Sequence, residues 1–247
     1  MMRSILALAW LLGCAAAAVL DRAVAVVCPQ LHIMAARETT APPGFGSAKT
    51  LVDLVLDNFP GATSEEIQYP AIGGDDYAKS VRMGIVGVIS QLAMFTLLCP
   101  DTVLIMHGYS QGGQIIDDSF CGGPDGRSLR TTGSLVPVET GSKVAAIIMM
   151  GNPRHRSGQP FNVGNATGPG FAARPANFSC PVYQDRMQSY CDSPDPFCSN
   201  GTDAAFHQGY GERNGQQALQ FILNKLPDKA RVIQIPRPAN NTLVDQK

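Results

Sequence analysis

The sequence predicts a three-layer α/β/α sandwich, in which a parallel sheet lies between two layers of helices. Apolar, β-rich segments alternate with segments of helical periodicity along most of the chain. This alternation is typical of βαβ units, whose parallel strands are buried on both faces. The chain has 247 residues and contains neither an internal repeat nor an interdomain linker, so we expect one large domain.

In the first half of the chain, each predicted strand is followed by a predicted helix. Residues 31–35 are an apolar run beyond Pro29, which predicts the first strand. Residues 47–59 place apolar side chains at helical spacing, and residues 66–69 read as a short second strand. Residues 75–98 form a long amphipathic helix, which begins with two aspartates that suit the positive end of its dipole.

The second half repeats the alternation with longer connections. Residues 102–106 are apolar and β-rich, which predicts a buried strand, and a helix is expected after Ser110 and up to about residue 120. Two further strands are predicted at residues 143–150 and 187–190, and a final helix at residues 212–226.

The remaining segments are predicted as a loop region and two terminal extensions. Residues 151–181 are rich in Gly, Pro and Asn and are interpreted as long surface loops. The helical pattern ends before residue 228, so the domain is placed at residues 19–227 and a C-terminal tail at residues 228–247.

Composition excludes several functional classes. The chain is 45% hydrophobic and 16% charged, which is typical of a globular protein and not of a disordered one. Its formal net charge is −1, so no strong field recruits nucleic acid or an anionic membrane. We therefore expect no nucleic-acid partner.

The N-terminus has the pattern of a secretory signal peptide. Arg3 supplies a positive charge, an apolar run covers residues 5–12, and small residues follow at positions 15–18. The apolar run is short for a membrane span, although a single-pass anchor is the alternative interpretation. We expect residues 1–18, approximately, to be removed and the mature protein to be extracellular and free of the membrane.

The cysteines agree with an oxidising compartment. One of seven, Cys14, falls in the predicted signal, and an even number in the mature chain predicts three disulfides. Six cysteines allow fifteen pairings, among which the sequence alone does not choose. The absence of C-x-x-C pairs and clustered histidines disfavours a zinc site, so no metal is expected. The six are Cys28, Cys99, Cys121, Cys180, Cys191 and Cys198.

Four N-glycosylation sequons also favour a eukaryotic secretory route. Each is a short pattern that occurs often by chance, so the four are treated as candidates. They begin at Asn165, Asn177, Asn200 and Asn240.

The most informative motif is Gly108-Tyr109-Ser110-Gln111-Gly112, a G-x-S-x-G pattern between a predicted strand and a predicted helix. In this context the serine occupies a strained turn that exposes its hydroxyl, and side chains at the two glycines would crowd the turn. The following helix directs free N–H groups at a developing oxyanion, with the backbone N–H of Gln111 as the first donor. A phosphate-binding loop is disfavoured because no G-K-[ST] ending and no G-x-G-x-x-G is present. Ser110 is therefore the candidate nucleophile.

Chain order indicates the base. In the G-x-S-x-G fold class the acid and then the histidine follow the serine. His32 and His107 precede Ser110, and His155 follows it without a suitable acid loop between them. His207 remains, in a stretch that reads as a flexible loop before the last helix.

The acid is less well determined by the residues themselves. Asp185, Asp192, Asp195 and Asp203 all lie between Ser110 and His207. Two cysteines bracket Asp192 and Asp195, and a disulfide between them would orient a carboxylate against the histidine. These two aspartates are not separated by this reasoning.

Several stretches together resemble the fungal cutinase and acetylxylan esterase family, and are closer to the acetylxylan esterases. The resemblance extends over about residues 28–226, and its motifs, taken in order, are specific. The matching stretches are Ala36-Arg37-Glu38-Thr39-Thr40-Ala41, Gly108-Tyr109-Ser110-Gln111-Gly112-Gly113, Phe178-Ser179-Cys180-Pro181, Ser189-Tyr190-Cys191-Asp192, Asp195-Pro196-Phe197-Cys198 and His207-Gln208-Gly209-Tyr210-Gly211.

The resemblance implies a minimal, lid-free α/β hydrolase with a five-stranded parallel sheet, whose catalytic domain is residues 19–227. It implies Asp195 as the triad acid and Thr39 as a second oxyanion residue beside Gln111. It also implies three disulfide pairs, which are Cys28–Cys99, Cys121–Cys180 and Cys191–Cys198.

The implied activity is a secreted serine esterase that removes acetyl groups from plant cell-wall xylan through an acyl-enzyme, without metal or cofactor. A cutinase acting on longer-chain esters is the alternative, because residues 151–170, which help to shape the cleft, vary within the family. A non-catalytic wall-binding or elicitor protein is disfavoured because all three triad residue types are present. The expected partner is an acetylated polysaccharide or another ester, and the protein is expected to be a monomer.

Overall fold

The computed structural model describes residues 26–231, which contain a sheet of six parallel strands in the order β2-β1-β3-β4-β6-β5. The predicted signal peptide and residues 232–247 of the predicted tail lie outside the described residues. The strands are β1 (Leu31–Ala36), β2 (Thr63–Glu66), β3 (Val103–Tyr109), β4 (Val144–Met150), β5 (Asn162–Val163) and β6 (Met187–Tyr190).

Helices cover both faces of the sheet. Ile33 of β1 packs in a core with the first and sixth helices, whereas the next residue, Met34, packs in a second core with the second and third helices. This alternation follows from the two-residue period of a strand and confirms the predicted three-layer sandwich. The helices are α1 (Lys49–Asn58), α2 (Tyr77–Leu98), α3 (Gln111–Cys121), α4 (Val138–Gly141), α5 (Ala204–Gln208), α6 (Tyr210–Lys225) and α7 (Asp228–Arg231).

The expectation of five strands is wrong by one. The five predicted strands correspond to β1, β2, β3, β4 and β6, and the sixth is β5, which pairs in parallel with β6. β5 has only two residues, which is too short to carry a hydrophobic pattern. It lies in the segment predicted as surface loops, so that segment contributes to the sheet.

Strand β2 ends where its predicted range began. Its residues are exposed or half-buried, while the apolar Ile67 and Tyr69 that follow it are buried. Ile67 donates its backbone N–H to Ala35 O at 2.8 Å and turns its side chain into the core with α2 and α3. The apolar pattern therefore marked the residues after the edge strand instead of the strand itself.

The longest helix, α2, belongs to one of the two helical layers of the sandwich. Gly74–Leu98 is long and apolar enough, by length and composition, to cross a membrane, and core helices of soluble proteins meet the same criterion. One face of α2, including Val81, Ile85 and Val88, is buried in the core that it shares with α3. Its apolar length is therefore only weak evidence for a membrane span.

Three disulfides connect the described residues. Cys28 pairs with Cys99, Cys121 with Cys180, and Cys191 with Cys198, which are the pairs implied by the resemblance. The first joins the segment before β1 to the end of α2, and the second joins the end of α3 to the long connection before β6.

Three of the four candidate sequons are accessible. The asparagines at positions 165, 177 and 200 are exposed, as a glycan requires. Asn240 lies outside the described residues.

The carboxyl ends of four strands bring together the predicted site residues. Thr39 follows β1, Ser110 follows β3, Gly151 follows β4, and the loop with Asp195 follows β6. Because all these strands are parallel neighbours, their carboxyl ends share one edge of the sheet, where α/β folds bind their ligands.

Candidate active site

Ser110 occupies a strained turn between β3 and α3. Its φ is +53° and its ψ is −117°, a left-handed backbone that a residue with a side chain rarely adopts. Its backbone N–H donates to Met150 O at 2.8 Å, which joins the turn to the end of β4. Strain of this kind persists only where the surroundings impose it, and here it lifts the hydroxyl above the sheet edge.

Two glycines make the turn possible. A Cβ at Gly108 would overlap the carbonyl oxygen of Gly112, and a Cβ at Gly112 would overlap the carbonyl oxygen of Ala36. These obstacles are backbone atoms, which do not move aside as a flexible side chain can. The glycines of the G-x-S-x-G pattern therefore have a steric cause in this structure.

His207 is held by Asp195 in a buried pair. The His207 Nδ1 lies 2.6 Å from Asp195 Oδ2, and both side chains are at most 3% exposed. Asp192, the alternative acid, has a different partner, since its Oδ1 accepts the backbone N–H of Asn165 at 3.0 Å. Of the two bracketed aspartates, the structure thus joins Asp195 to the histidine.

The expectation that His207 lies in a flexible loop is wrong. His207 belongs to the short helix α5, whose N-terminus is capped because Phe206 donates its backbone N–H to the Asp203 carboxylate at 3.0 Å. The hydroxyl of Tyr109 also donates to His207 O at 2.6 Å. A five-residue helix is too short to show helical periodicity in the sequence.

The Asp195 carboxylate is held in its ionised form. Burial raises its pKa, but the hydrogen bond and positive charge of His207 oppose burial, as do the N–H groups of Phe197 at 2.6 Å and Cys198 at 3.1 Å. The balance lowers the pKa of Asp195 below its ordinary value. The Cys191–Cys198 disulfide closes the loop that presents these N–H groups.

Ser110 and His207 line one cavity of about 380 Å³. The His207 Nε2 is buried and has no hydrogen-bond partner among the described residues, Ser110 included. The Phe197 ring lies 4.6 Å from the imidazole between centroids and helps to hold its orientation. The imidazole of His207 and the side chain of Ser110 therefore belong to the lining of the same cavity.

The two predicted oxyanion residues lie beside this cavity. Thr39 lines it, and Gln111 is the first residue of α3, where backbone N–H groups have no partner within the helix. The Gln111 side chain is occupied elsewhere, since it donates to Ile72 O at 3.0 Å and accepts the Ser80 hydroxyl at 3.1 Å. The Gln111 side chain is therefore committed to these two bonds, and the oxyanion prediction concerns its backbone N–H alone.

The loop that carries Thr39 is braced by charged residues whose roles the sequence did not reveal. The Glu38 carboxylate accepts the backbone N–H of Ser47 at 2.8 Å and its hydroxyl at 2.9 Å. The buried Arg37 donates to Ala41 O at 3.0 Å and to Tyr69 O at 2.6 Å. The sequence signal for these roles was that two oppositely charged residues, Arg37 and Glu38, directly follow the buried strand β1.

A buried ionic network, consisting of Asp117, Asp118, Arg154 and Arg174, was also missed. It joins α3, directly behind Ser110, to the segment predicted as surface loops. Arg174 Nε donates to Asp117 Oδ1 at 2.8 Å, and Arg154 Nε lies 3.0 Å from Asp118 Oδ1. All four side chains are at most 2% exposed. This part of the segment is therefore interior structure, which contradicts its prediction as a surface loop.

Burial dominates the electrostatics of this network. It raises the pKa of Asp118 well above the ordinary value, and the positive charges of Arg154 and Arg174 oppose the change. It likewise lowers the pKa of Arg154, against the negative charge of Asp118. Burial thus disfavours the charged forms of Asp118 and Arg154, and their oppositely charged partners offset only part of this cost.

The other three histidines lie apart from the cavity. Burial lowers the pKa of His32 and of His107 to about 4, so both are neutral near neutral pH. Burial also lowers the pKa of His155. Within residues 26–231 no group of three or more His, Cys, Asp or Glu residues is arranged to hold a metal ion.

Comparisons with known proteins agree with this architecture. The family model described as Cutinase matches residues 27–226. The chain is 48% identical over 206 residues to Cutinase 11 of Verticillium dahliae, covering 81% of this chain and 70% of that protein. It is 45% identical over 206 residues to Acetylxylan esterase 2 of Talaromyces purpureogenus, covering 81% of this chain and 88% of that protein.

A solved structure is similar over the same part of the chain. The catalytic core domain of acetyl xylan esterase from Trichoderma reesei superimposes with a TM-score of 0.78 at 46% identity, covering 81% of this chain and all of that domain. The family model, the relatives and the fold point to the same assignment. The chain belongs to the cutinase family and is a carboxylic ester hydrolase.

Proposed function

We propose that the protein is a secreted serine esterase that hydrolyses acetyl esters on xylan through an acyl-enzyme. Ser110 is the nucleophile, His207 the general base and acid, and Asp195 the residue that orients and stabilises the imidazole. One observation carries the proposal: the buried His207–Asp195 pair and the strained Ser110 meet at a single cavity. Strained serine turns of this type expose nucleophiles.

In the first half of the reaction, Ser110 Oγ attacks the ester carbonyl carbon while His207 Nε2 takes the hydroxyl proton. The N–H groups of Gln111 and Thr39 donate to the oxyanion of the tetrahedral intermediate. When the C–O bond of the ester breaks, His207 returns its proton to the sugar oxygen, and the acyl group remains on Ser110.

In the second half, water attacks the acyl-enzyme and gives its proton to His207. Collapse of the second tetrahedral intermediate releases acetate, and the proton returns to Ser110. Asp195 remains ionised throughout, which its lowered pKa supports. His207 accepts a proton at the start of each half-reaction and returns it at the end.

Acetylxylan is the first choice of substrate because the relative from Talaromyces purpureogenus, an acetylxylan esterase, is matched over 88% of its length. The alternative is cutin, with longer acyl chains. It is favoured by the 48% identity to Cutinase 11. A non-catalytic wall-binding or elicitor role would not account for the strained backbone of Ser110 or for the buried His207–Asp195 pair.

The first test is Ser110→Ala, assayed with 4-nitrophenyl acetate. Because this substitution removes the nucleophile, we expect kcat to fall by roughly 10⁶-fold without loss of the fold. The near-ultraviolet circular dichroism spectrum serves as the folding control. Substantial turnover by the folded variant would exclude the proposed mechanism.

The substrate is tested with 4-nitrophenyl esters of increasing acyl length and with acetylated xylan. A preference for acetate over butyrate, together with release of acetate from xylan, supports the first choice. Equal or faster turnover of long-chain esters favours the cutinase alternative.

The secretory route is part of the same proposal. Residues 1–18 serve as the signal peptide, residues 19–227 as the catalytic domain, and residues 228–247 as a tail. The three disulfides support an oxidising destination. N-terminal sequencing of the protein exported from a fungal host should begin near residue 19, and a start at residue 1 would contradict the proposal.

A further inference from the structure

A second cavity, of about 550 Å³, adjoins the cavity of Ser110. The two cavities share Gly74, Tyr77 and Phe171 in their walls. The rings of Tyr77 and Phe171 meet edge to face with centroids 5.5 Å apart, and Phe171 is 58% exposed. An exposed aromatic side chain thus lies between the reacting serine and an additional space of ligand size.

The floor of the second cavity is a chain of hydrogen bonds. Tyr77 Oη donates to Gln114 Oε1 at 2.8 Å, and Gln114 Nε2 donates to Asp125 Oδ2 at 3.0 Å. The other carboxylate oxygen, Asp125 Oδ1, accepts the backbone N–H groups of Arg127 at 2.9 Å and Leu129 at 2.8 Å. These bonds hold the polar groups in place before any ligand arrives.

The charges around this cavity suit a polyhydroxylated ligand better than an acyl chain. Burial raises the pKa of Asp125, but the backbone N–H groups that it accepts outweigh burial and lower the pKa below its ordinary value, so the carboxylate stays ionised. Asp75 and Arg127 are exposed and also line the cavity. Carboxylates accept and guanidinium groups donate, whereas a sugar hydroxyl does both. A hydrocarbon chain would instead desolvate these charges without replacing their hydrogen bonds.

A row of aromatic side chains leads from His207 to the second cavity. From the His207 ring, Phe197 lies 4.6 Å away, Phe171 donates its backbone N–H to Phe197 O at 3.2 Å, and Tyr77 follows at 5.5 Å from Phe171. His207 protonates the leaving sugar oxygen in the proposed mechanism. A sugar chain that leaves from this point can therefore follow the aromatic row into the second cavity.

We propose that the second cavity is a sugar-binding subsite, in which a xylose residue of the chain that carries the ester contacts Arg127, Asp75 and the face of Phe171. The proposal rests on the proposed function, because it assumes a polysaccharide leaving group. In this proposal the second cavity, which contains no residue of the triad, selects the substrate.

The test measures binding apart from catalysis. Xylotetraose, which carries no ester, is titrated into the Ser110→Ala protein by calorimetry and by NMR. We expect saturable binding, which Arg127→Ala in the same background weakens about tenfold, the effect of losing one hydrogen bond to a charged group. Asp75→Ala is expected to weaken binding in the same direction.

Two matched controls are available in the same segments. Arg130 and Asp76 are exposed neighbours that line neither cavity, so Arg130→Ala and Asp76→Ala make the same charge changes outside the subsite. We expect both controls to bind xylotetraose as the parent does. The absence of binding to the parent, or equal binding by all five proteins, would overturn the subsite.

The outcome is distinguishable from failure of the proposed function. An enzyme without the proposed chemistry fails to hydrolyse 4-nitrophenyl acetate, whatever xylotetraose does. An enzyme that hydrolyses 4-nitrophenyl acetate but shows no Arg127-dependent binding of xylotetraose retains its mechanism and loses the subsite.

Discussion

At the scale of single residues, the candidate site depends on one strained backbone and one buried, hydrogen-bonded pair, His207 and Asp195. Ser110 is in a left-handed conformation that only a crowded turn imposes, and Asp195 is a fully buried carboxylate. Neither arrangement is favourable by itself. The Ser110 backbone is held by its hydrogen bond to Met150 O, and the Asp195 carboxylate by the N–H groups of Phe197 and Cys198. Such locally unfavourable arrangements are typical of functional sites.

The role of Asp195 predicts a large kinetic effect without a change of nucleophile. Asp195→Asn should lower kcat on 4-nitrophenyl acetate by about 10⁴-fold, because an amide neither fixes the imidazole tautomer nor stabilises the imidazolium. Asp192→Asn is the control, since Asp192 bonds to Asn165 and not to His207. A larger loss in the Asp192 variant than in the Asp195 variant would reverse the assignment of the acid.

The same carboxylate predicts a contribution to acid stability. Its folded-state pKa is lower than the ordinary 3.8, so the folded protein binds fewer protons at this group than the unfolded chain does as the pH falls. The stabilisation is therefore complete above the ordinary value and is lost progressively below it. The free energy of unfolding, measured by denaturant titration from pH 5 downward, should fall less steeply for Asp195→Asn. Parallel curves for the two proteins would contradict this linkage.

At the scale of secondary-structure elements, predictability follows the length of the pattern. β3, β4 and α2 carry long apolar patterns and lie close to their predicted ranges, and the strand before Ser110 identifies the elbow. β5 has two residues and α5 has five, so neither offers a periodicity to detect, although α5 carries His207.

The buried ionic network could not be predicted for a different reason. Asp118 and Arg154 are far apart in sequence, and charged residues in a segment rich in glycine and proline are ordinarily exposed. Their burial follows from the tertiary contact between α3 and the long connection after β4. That contact cannot be predicted from the local sequence of either segment.

Removing one member of this network should destabilise the fold. Arg174→Met leaves Asp117 and Asp118 buried with a single arginine, so the free energy of unfolding should fall by about 3–5 kcal/mol in a denaturant titration. Arg130→Met, at an exposed position, is the matched control and should change stability by less than about 0.5 kcal/mol. Comparable stability of the two variants would show that the network is energetically unimportant.

At the scale of the whole molecule, the three disulfides have different relations to the site. Cys28–Cys99 connects the chain before β1 to the end of α2, at the amino edge of the sheet. Its two cysteines are 71 residues apart in sequence. Cys191–Cys198 spans a separation of only 7 residues and surrounds Asp195 at the carboxyl edge. The first therefore constrains the unfolded chain over a long loop, while the second mainly shapes the native site.

Replacing each pair with serines should separate these two contributions. In the chain-entropy model, losing Cys28–Cys99 costs roughly 4 kcal/mol and losing Cys191–Cys198 about 2–3 kcal/mol. The Cys28→Ser, Cys99→Ser variant should lose roughly 8–16 °C in Tm while keeping its kcat at 25 °C. The Cys191→Ser, Cys198→Ser variant should lose less in Tm and yet have a lower kcat, because the disulfide closes the loop that positions the backbone N–H of residue 198 against the Asp195 carboxylate. Calorimetry and active-site titration of the folded fraction measure both quantities. If the Cys28–Cys99 variant loses kcat while the Cys191–Cys198 variant keeps it, the short loop does not position the acid.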